Sequence, residues 1–177
     1  LITSSAASDV YKRQNLNKYS IEVVHTPGHL SNHVCFSLKE RQILFSGDHV
    51  MGWATTLISP PDGDLGSFMN SLEKLSAREE VIYYPGHGKS LKEPRKMVLA
   101  QIKHRRDREK QILNSVSKIS RTAPEIVDEV YVVDLNPMLK AAAIRNVLAH
   151  LIDLYERDKV STDKFSQTAK FSQSNRN

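Results

Sequence analysis

From residue 19 onward the apolar positions fall into two periods. In the first, every second residue is apolar, the mark of a half-buried strand. Ile21 and Val23 alternate with Glu22, although Val24 breaks the strict alternation. Val34, Phe36 and Leu38 alternate with Cys35 and Ser37. The polar run Lys39-Glu40-Arg41-Gln42 predicts a hairpin turn, Ile43-Leu44-Phe45 the returning strand, and Val81 to Tyr84 a further strand. The second period is helical. Leu65, Phe68, Met69, Leu72 and Leu75 recur at helix spacing behind Asp64, a plausible N-cap. The stretch before them, Met51 to Asp64, reads as a loop punctuated by Pro60-Pro61 and Asp62-Gly63-Asp64. Pro94 suits the first turn of a long helix whose apolar stripe is Val98, Ile102, Ile112 and Val116. Arg105 and Glu109 interrupt that stripe, with His104 and Arg108 on the adjacent face. This interruption is either a solvated charged segment or a buried polar cluster.

Ser117 to Ala123 marks a candidate boundary. Ile126, Val127, Val130 and Tyr131 then suggest a short helix, and Ala141 to Tyr155 a stronger one with Ile144, Val147, Leu148, Leu151 and Tyr155 on one face. Residues 161–177 are polar, with only Phe165 and Phe171 as apolar anchors.

Composition narrows the class. The chain has 177 residues, 40% hydrophobic and 25% charged, which fits a globular protein with room for one medium and one small domain. No stretch approaches the ~20 apolar residues of a membrane span. The single cysteine, Cys35, excludes an internal disulfide and fits a reducing compartment, so the expectation is a cytoplasmic protein. A net charge of +5 argues only weakly for an acidic partner.

The chemistry gathers in three loops of one design. Ile21 to His25 runs into Thr26-Pro27-Gly28-His29, Ile43 to Phe45 into Ser46-Gly47-Asp48-His49, and Val81 to Tyr84 into Pro85-Gly86-His87-Gly88. Each apolar run ends in a glycine beside a potential metal ligand, and glycine lets the backbone turn sharply and approach an ion. In this order the three loops resemble the metallo-beta-lactamase superfamily of metallo-hydrolases. The later features resemble the branch that includes glyoxalase-II-like proteins and a mitochondrial beta-lactamase-like endoribonuclease. Those features are Phe45-Ser46-Gly47-Asp48, Tyr84 to Gly88, a helix with His104-Arg105 and Arg108-Glu109, and a small C-terminal helical part. The likeness extends roughly from residue 18 to residue 160.

The resemblance implies an α/β fold: the C-terminal half of an αββα metallo-beta-lactamase sandwich over 15–119, a winged-helix-like α domain over 120–162, and a polar tail over 163–177. Asp158-Lys159-Val160 would begin the wing, and the tail is either a ragged wing or a disordered end. It also implies two Zn2+ ions, with His29 ligating the first, Asp48 bridging both and His87 ligating the second. A metal-bridging hydroxide would then attack an ester, a thioester or a phosphodiester, with a small molecule or single-stranded RNA as substrate. His25, His33, His49 and His104 are candidates to orient ligands or to pack; Pro27-Gly28 argues against reading His25, His29 and His33 as one helical metal face. Trp53 and Met51 either line a substrate pocket or pack beneath the loop.

One departure is plain. The superfamily's H-x-H-x-D-H motif occurs nowhere in the chain, so three ligands of the usual set are present. The expectation is that a preceding segment completes the site and that these residues alone are inactive. Residues 1–14 look non-native, because Asp9-Val10-Tyr11-Lys12-Arg13-Gln14 is what one frame of a common transposase sequencing adaptor encodes. The alternative function is a nucleic-acid-binding or structural module built on the winged-helix-like part. Residues 123–160 carry seven acidic and four basic residues, a balance that disfavours duplex DNA.

Overall fold

The computed structural model describes residues 13–16, 19–52 and 55–174. Five strands form one sheet in the order β1 to β5: β1 (Arg13–Leu16), β2 (Tyr19–His25), β3 (Val34–Leu38), β4 (Ile43–Gly47) and β5 (Ile82–Pro85). The first three pairings are antiparallel and β4 pairs β5 in parallel. Since β2 and β4 both oppose β3, strands β2, β4 and β5 run one way and end at one edge. Four helices complete the described chain: α1 (Leu65–Ser76), α2 (Pro94–Val116), α3 (Ala123–Val130) and α4 (Pro137–Glu156). A short pair, β6 (Val160–Ser161) with β7 (Ser172–Gln173), closes it.

Contacts divide the chain into two units. Of the described residues, the first takes those up to 27 together with those in 32–56 and 67–101, and the second those in 28–31, 57–66 and 102–174. Residues 102–119, which the sequence reading placed with the residues before them, group with the C-terminal helices, because Ile112 and Val116 are buried in that core.

In the first unit the covered face of the sheet is not the one that looks most apolar. Val24, Cys35, Ser37, Leu44 and Tyr83 are buried, and the Tyr83 hydroxyl donates to the Leu75 carbonyl of α1 at 3.3 Å. Ser37 is tolerated there because its hydroxyl donates to the Glu80 carboxylate at 2.6 Å. Arg78 binds both Glu80 oxygens through Nε at 3.0 Å and reaches Glu22 at 3.1 Å. Burial works against ionised Glu80, but these bonds outweigh it and hold the carboxyl below its ordinary range. The opposite face carries two cross-strand rows, Ile21–Leu38–Ile43–Ile82 and Val23–Phe36–Phe45–Tyr84. In the second row Phe36, Phe45 and Tyr84 are 43%, 48% and 41% exposed. Val24 therefore breaks the alternation because both faces of β2 are apolar.

The polar run 39–42 is the expected hairpin turn between antiparallel β3 and β4, built as a 3-10 turn, Lys39–Arg41, closed by Gln42 in a left-handed conformation. Two expectations need correction here. The α4 helix begins at Pro137, four residues before the expected start, because the Asn136 side chain caps it by accepting from the Leu139 N–H at 3.0 Å. The stretch 1–14, read as non-native, reaches into β1: residues 1–12 lie outside those described, whereas Arg13 and Gln14 pair with Glu22 and Ile21.

The second unit packs Ile112, Ile126, Val147, Leu151, Leu154, Val160 and Phe171 into one core. Thr122 and Glu125 cap α3 reciprocally: the side chain of each accepts the other's backbone N–H. The polar stretch after residue 162 is not a free tail. Phe171 is fully buried and exchanges both backbone hydrogen bonds with Arg121, at 2.9 and 2.8 Å. Of the two anchors read from the sequence, Phe171 packs and Phe165 stays half exposed.

Candidate metal centre

The loops that follow β2, β4 and β5 leave the sheet at one edge. In the first unit this brings two expected ligands together: His87 Nε2 lies 3.7 Å from Asp48 Oδ1. His87 is well exposed and Asp48 about one-third exposed, so both reach solvent. Glycine makes the approach possible. A Cβ on Gly86 would stand 2.6 Å from Asp48 Oδ1, and the Gly86 N–H donates to the Gly47 carbonyl at 2.8 Å. Gly47 turns at φ 51°, a conformation that side chains rarely adopt. Behind Asp48, the Thr56 hydroxyl donates to its carbonyl at 2.5 Å and fixes the chain after the turn.

His33 and His49 support this turn from below. The His33 ring lies under Gly47, where a Cβ would meet Nε2 at 2.6 Å, and its Nδ1 is 2.9 Å from the Thr26 hydroxyl. Thr26 also contacts Cys35 Sγ at 3.2 Å, and burial pushes that thiol up to about 11, so it stays protonated and inert. His49 is fully buried, its ring 4.3 Å from Phe68 and 5.6 Å from His33. Packing is thus the role of His49, and Met51, also buried, accepts from Gln101 at 3.1 Å through its carbonyl. Trp53 lies outside the described residues. His25 is exposed rather than packed, and its carbonyl is held by Lys74 at 2.7 Å.

His29 belongs to the second unit. Its Nδ1 is 2.7 Å from the Leu57 carbonyl. A carbonyl only accepts, so Nδ1 carries the proton and Nε2 keeps its lone pair, the tautomer a metal ligand requires. Asp64 N–H donates to the Gly28 carbonyl at 2.9 Å, so residues 57–66 grip this loop at two points. Among the described residues no group of three or more ligand-type side chains is gathered. Asp48 and His87 nevertheless offer carboxylate oxygen and imidazole nitrogen side by side, donors that a borderline divalent cation accepts readily.

The charged interruption of α2 divides: Arg105 takes the buried alternative and His104 the solvated one. Arg105 is 4% exposed and donates to Asn146 Oδ1 at 3.2 Å; burial pushes its guanidinium down to about 10. Arg108 lies over the Tyr131 ring at 3.9 Å, and Glu109 pairs with Arg157 at 2.6 Å. His104 is exposed, and desolvation together with Arg105 and Arg108 holds its imidazole below the ordinary range. Sequence reasoning missed Leu57, Asn146 and His150. A carbonyl has no sequence signal, but Asn146 and His150 lie one turn apart amid apolar residues, and that was visible.

The geometry agrees with what the chain is similar to. Residues 20–87 match the metallo-beta-lactamase superfamily, and residues 122–166 match the beta-lactamase associated winged helix domain. The chain thus carries a metallo-beta-lactamase superfamily domain over the first of these stretches and the associated winged helix domain over the second. It is 32% identical over 133 residues to the atrochrysone carboxyl ACP thioesterase AgnL7 of Paecilomyces divaricatus, covering 71% of this chain and 41% of that protein. It is 35% identical over 147 residues to the beta-lactamase-like protein 2 homolog of Drosophila melanogaster, covering 82% and 49%. A solved beta-lactamase domain protein from Burkholderia ambifaria superposes with a TM-score of 0.82 at 19% identity, over 92% of this chain and 50% of that one. The chain therefore spans about half the length of the relatives it matches, and the fold class expected from the three loops is the observed one.

Proposed function

We propose that these residues serve a two-zinc hydrolase that cleaves a thioester, with His29, Asp48 and His87 each as a metal ligand. The observation that carries this reading is the Asp48–His87 pair, set 3.7 Å apart on two glycine turns at the sheet edge. The thioesterase relative favours a thioester over a phosphodiester. Bound there, zinc would supply Lewis acidity and a water acidified to near neutral pH.

The chain's own residues do the rest. Asp48 has two oxygens and can serve two ions. His87, exposed at its loop tip, can meet solvent and substrate. His29 presents Nε2 because Leu57 holds the proton on Nδ1. The test measures zinc content together with hydrolysis of a model thioester and of single-stranded RNA. The proteins compared are the wild type, Asp48→Ala, His29→Ala and His87→Ala, each also joined to the N-terminal half of a relative. Thioester turnover that needs Asp48 and tracks zinc content supports the reading. RNA cleavage without thioester cleavage would reassign the substrate. Turnover unchanged in Asp48→Ala would end the metal assignment.

A further inference from the structure

The carbonyl that binds His29 and the N–H that Asn146 accepts belong to one peptide group. Leu57 O lies 2.7 Å from His29 Nδ1, and Ile58 N–H donates to Asn146 Oδ1 at 3.0 Å. The same Oδ1 accepts from Arg105 Nη1 at 3.2 Å, and Arg105 is buried in α2. The peptide plane between Leu57 and Ile58 is therefore held at both ends, by an imidazole on one side and a buried amide on the other. We infer that Asn146 and Arg105 are positioning residues for His29, acting through the Leu57–Ile58 peptide to fix the ring's orientation and tautomer. The ligand role of His29 in this inference rests on the proposed function.

The physical argument is short. A loop carbonyl with one partner can swing, and the imidazole it binds swings with it. Here the partner on the far side is a side chain in the middle of α4, a 20-residue helix packed into the core of its unit. Rotation of the peptide breaks the Asn146 bond and leaves Arg105 with one acceptor fewer in a buried place, where an unmade bond is costly. The carbonyl thus stays aimed at Nδ1. A proton held on Nδ1 keeps Nε2 as a lone-pair donor, and outer partners of this kind change metal affinity about 10–100-fold when removed.

The experiment reads the ring itself. Nitrogen NMR of the full chain labelled at histidine reports which His29 nitrogen carries the proton, without any metal. Wild type should show the Nδ1–H tautomer alone. Asn146→Leu should mix the tautomers and weaken zinc binding about 10–100-fold. Asn146→Asp keeps the Oδ1 acceptor and should retain the wild-type signature, while Arg105→Met should shift in the direction of Asn146→Leu by a smaller amount. If Asn146→Leu does not fold, Asn146→Asp and Arg105→Met decide. An unshifted tautomer in Arg105→Met, or a mixed one in Asn146→Asp, overturns the inference, as does a wild-type tautomer in folded Asn146→Leu. If the chain joined to the N-terminal half of a relative ignores zinc while its His29 shows a pure Nδ1–H tautomer, the ligand reading is sunk and the positioning stands.

Discussion

At the residue scale, Gly86 is the tightest constraint on the Asp48–His87 pair. Gly86→Ala places a methyl 2.6 Å from Asp48 Oδ1, and one of the two must move. The fold should survive, since Gly86 is exposed, but zinc affinity at the pair should fall about tenfold or more. Zinc titration followed at His87 checks it. His150 makes a different prediction. It is 1% exposed, neither ring nitrogen has a partner among the described residues, and Arg105, Arg108, His104 and Arg157 surround it with positive charge. Desolvation, then those charges, holds it well below its ordinary value of 6.5. The folded chain keeps it neutral while the unfolded chain protonates it, so the cost sets in as pH falls through 6.5 and grows with further acidification. Stability should drop there by up to about 1.4 kcal/mol per pH unit. Urea unfolding across that range checks the slope, and His150→Phe should flatten it.

At the element scale, the sequence revealed most elements and misjudged which face they bury. The strands and helices follow from period and from caps, which are local properties. Burial is set by what lies across the sheet. Phe36 outranks Cys35 in hydrophobicity, yet α1 covers the face that holds Cys35 and Ser37, and Glu80 makes the serine acceptable. The site was legible in part for the same reason. His29, Asp48 and His87 announce themselves because each follows a glycine after a strand. The Leu57 carbonyl, a backbone group in a proline-rich loop, does not. The C-terminal element was hidden by composition: eight of the ten residues from Ser161 to Lys170 are polar, and the single buried ring beyond them decides the packing. Phe171→Ala should cost about 3–5 kcal/mol. Chemical denaturation followed by a probe in α4 would show it; a cost under about 1 kcal/mol would restore the tail to a free end.

At the scale of the whole molecule, the two rows of aliphatic and aromatic side chains on the open sheet face set how this polypeptide behaves in a tube. Eight such positions spread over four strands form a surface of the kind that soluble monomers rarely display. The chain on its own should brighten a hydrophobic dye such as ANS, bind phenyl resin, and sediment as a concentration-dependent mixture of species. Phe36→Lys with Phe45→Glu, an opposite-charge pair directly across β3 and β4, should remove the dye signal and raise soluble yield. Phe45 stands two residues before Gly47, so zinc binding serves as the control that the turn is intact. A purification strategy follows from the sheet alone: mild detergent from lysis onward, low protein concentration, and no ammonium sulfate step, because excluded salts strengthen the adhesion of that face to itself.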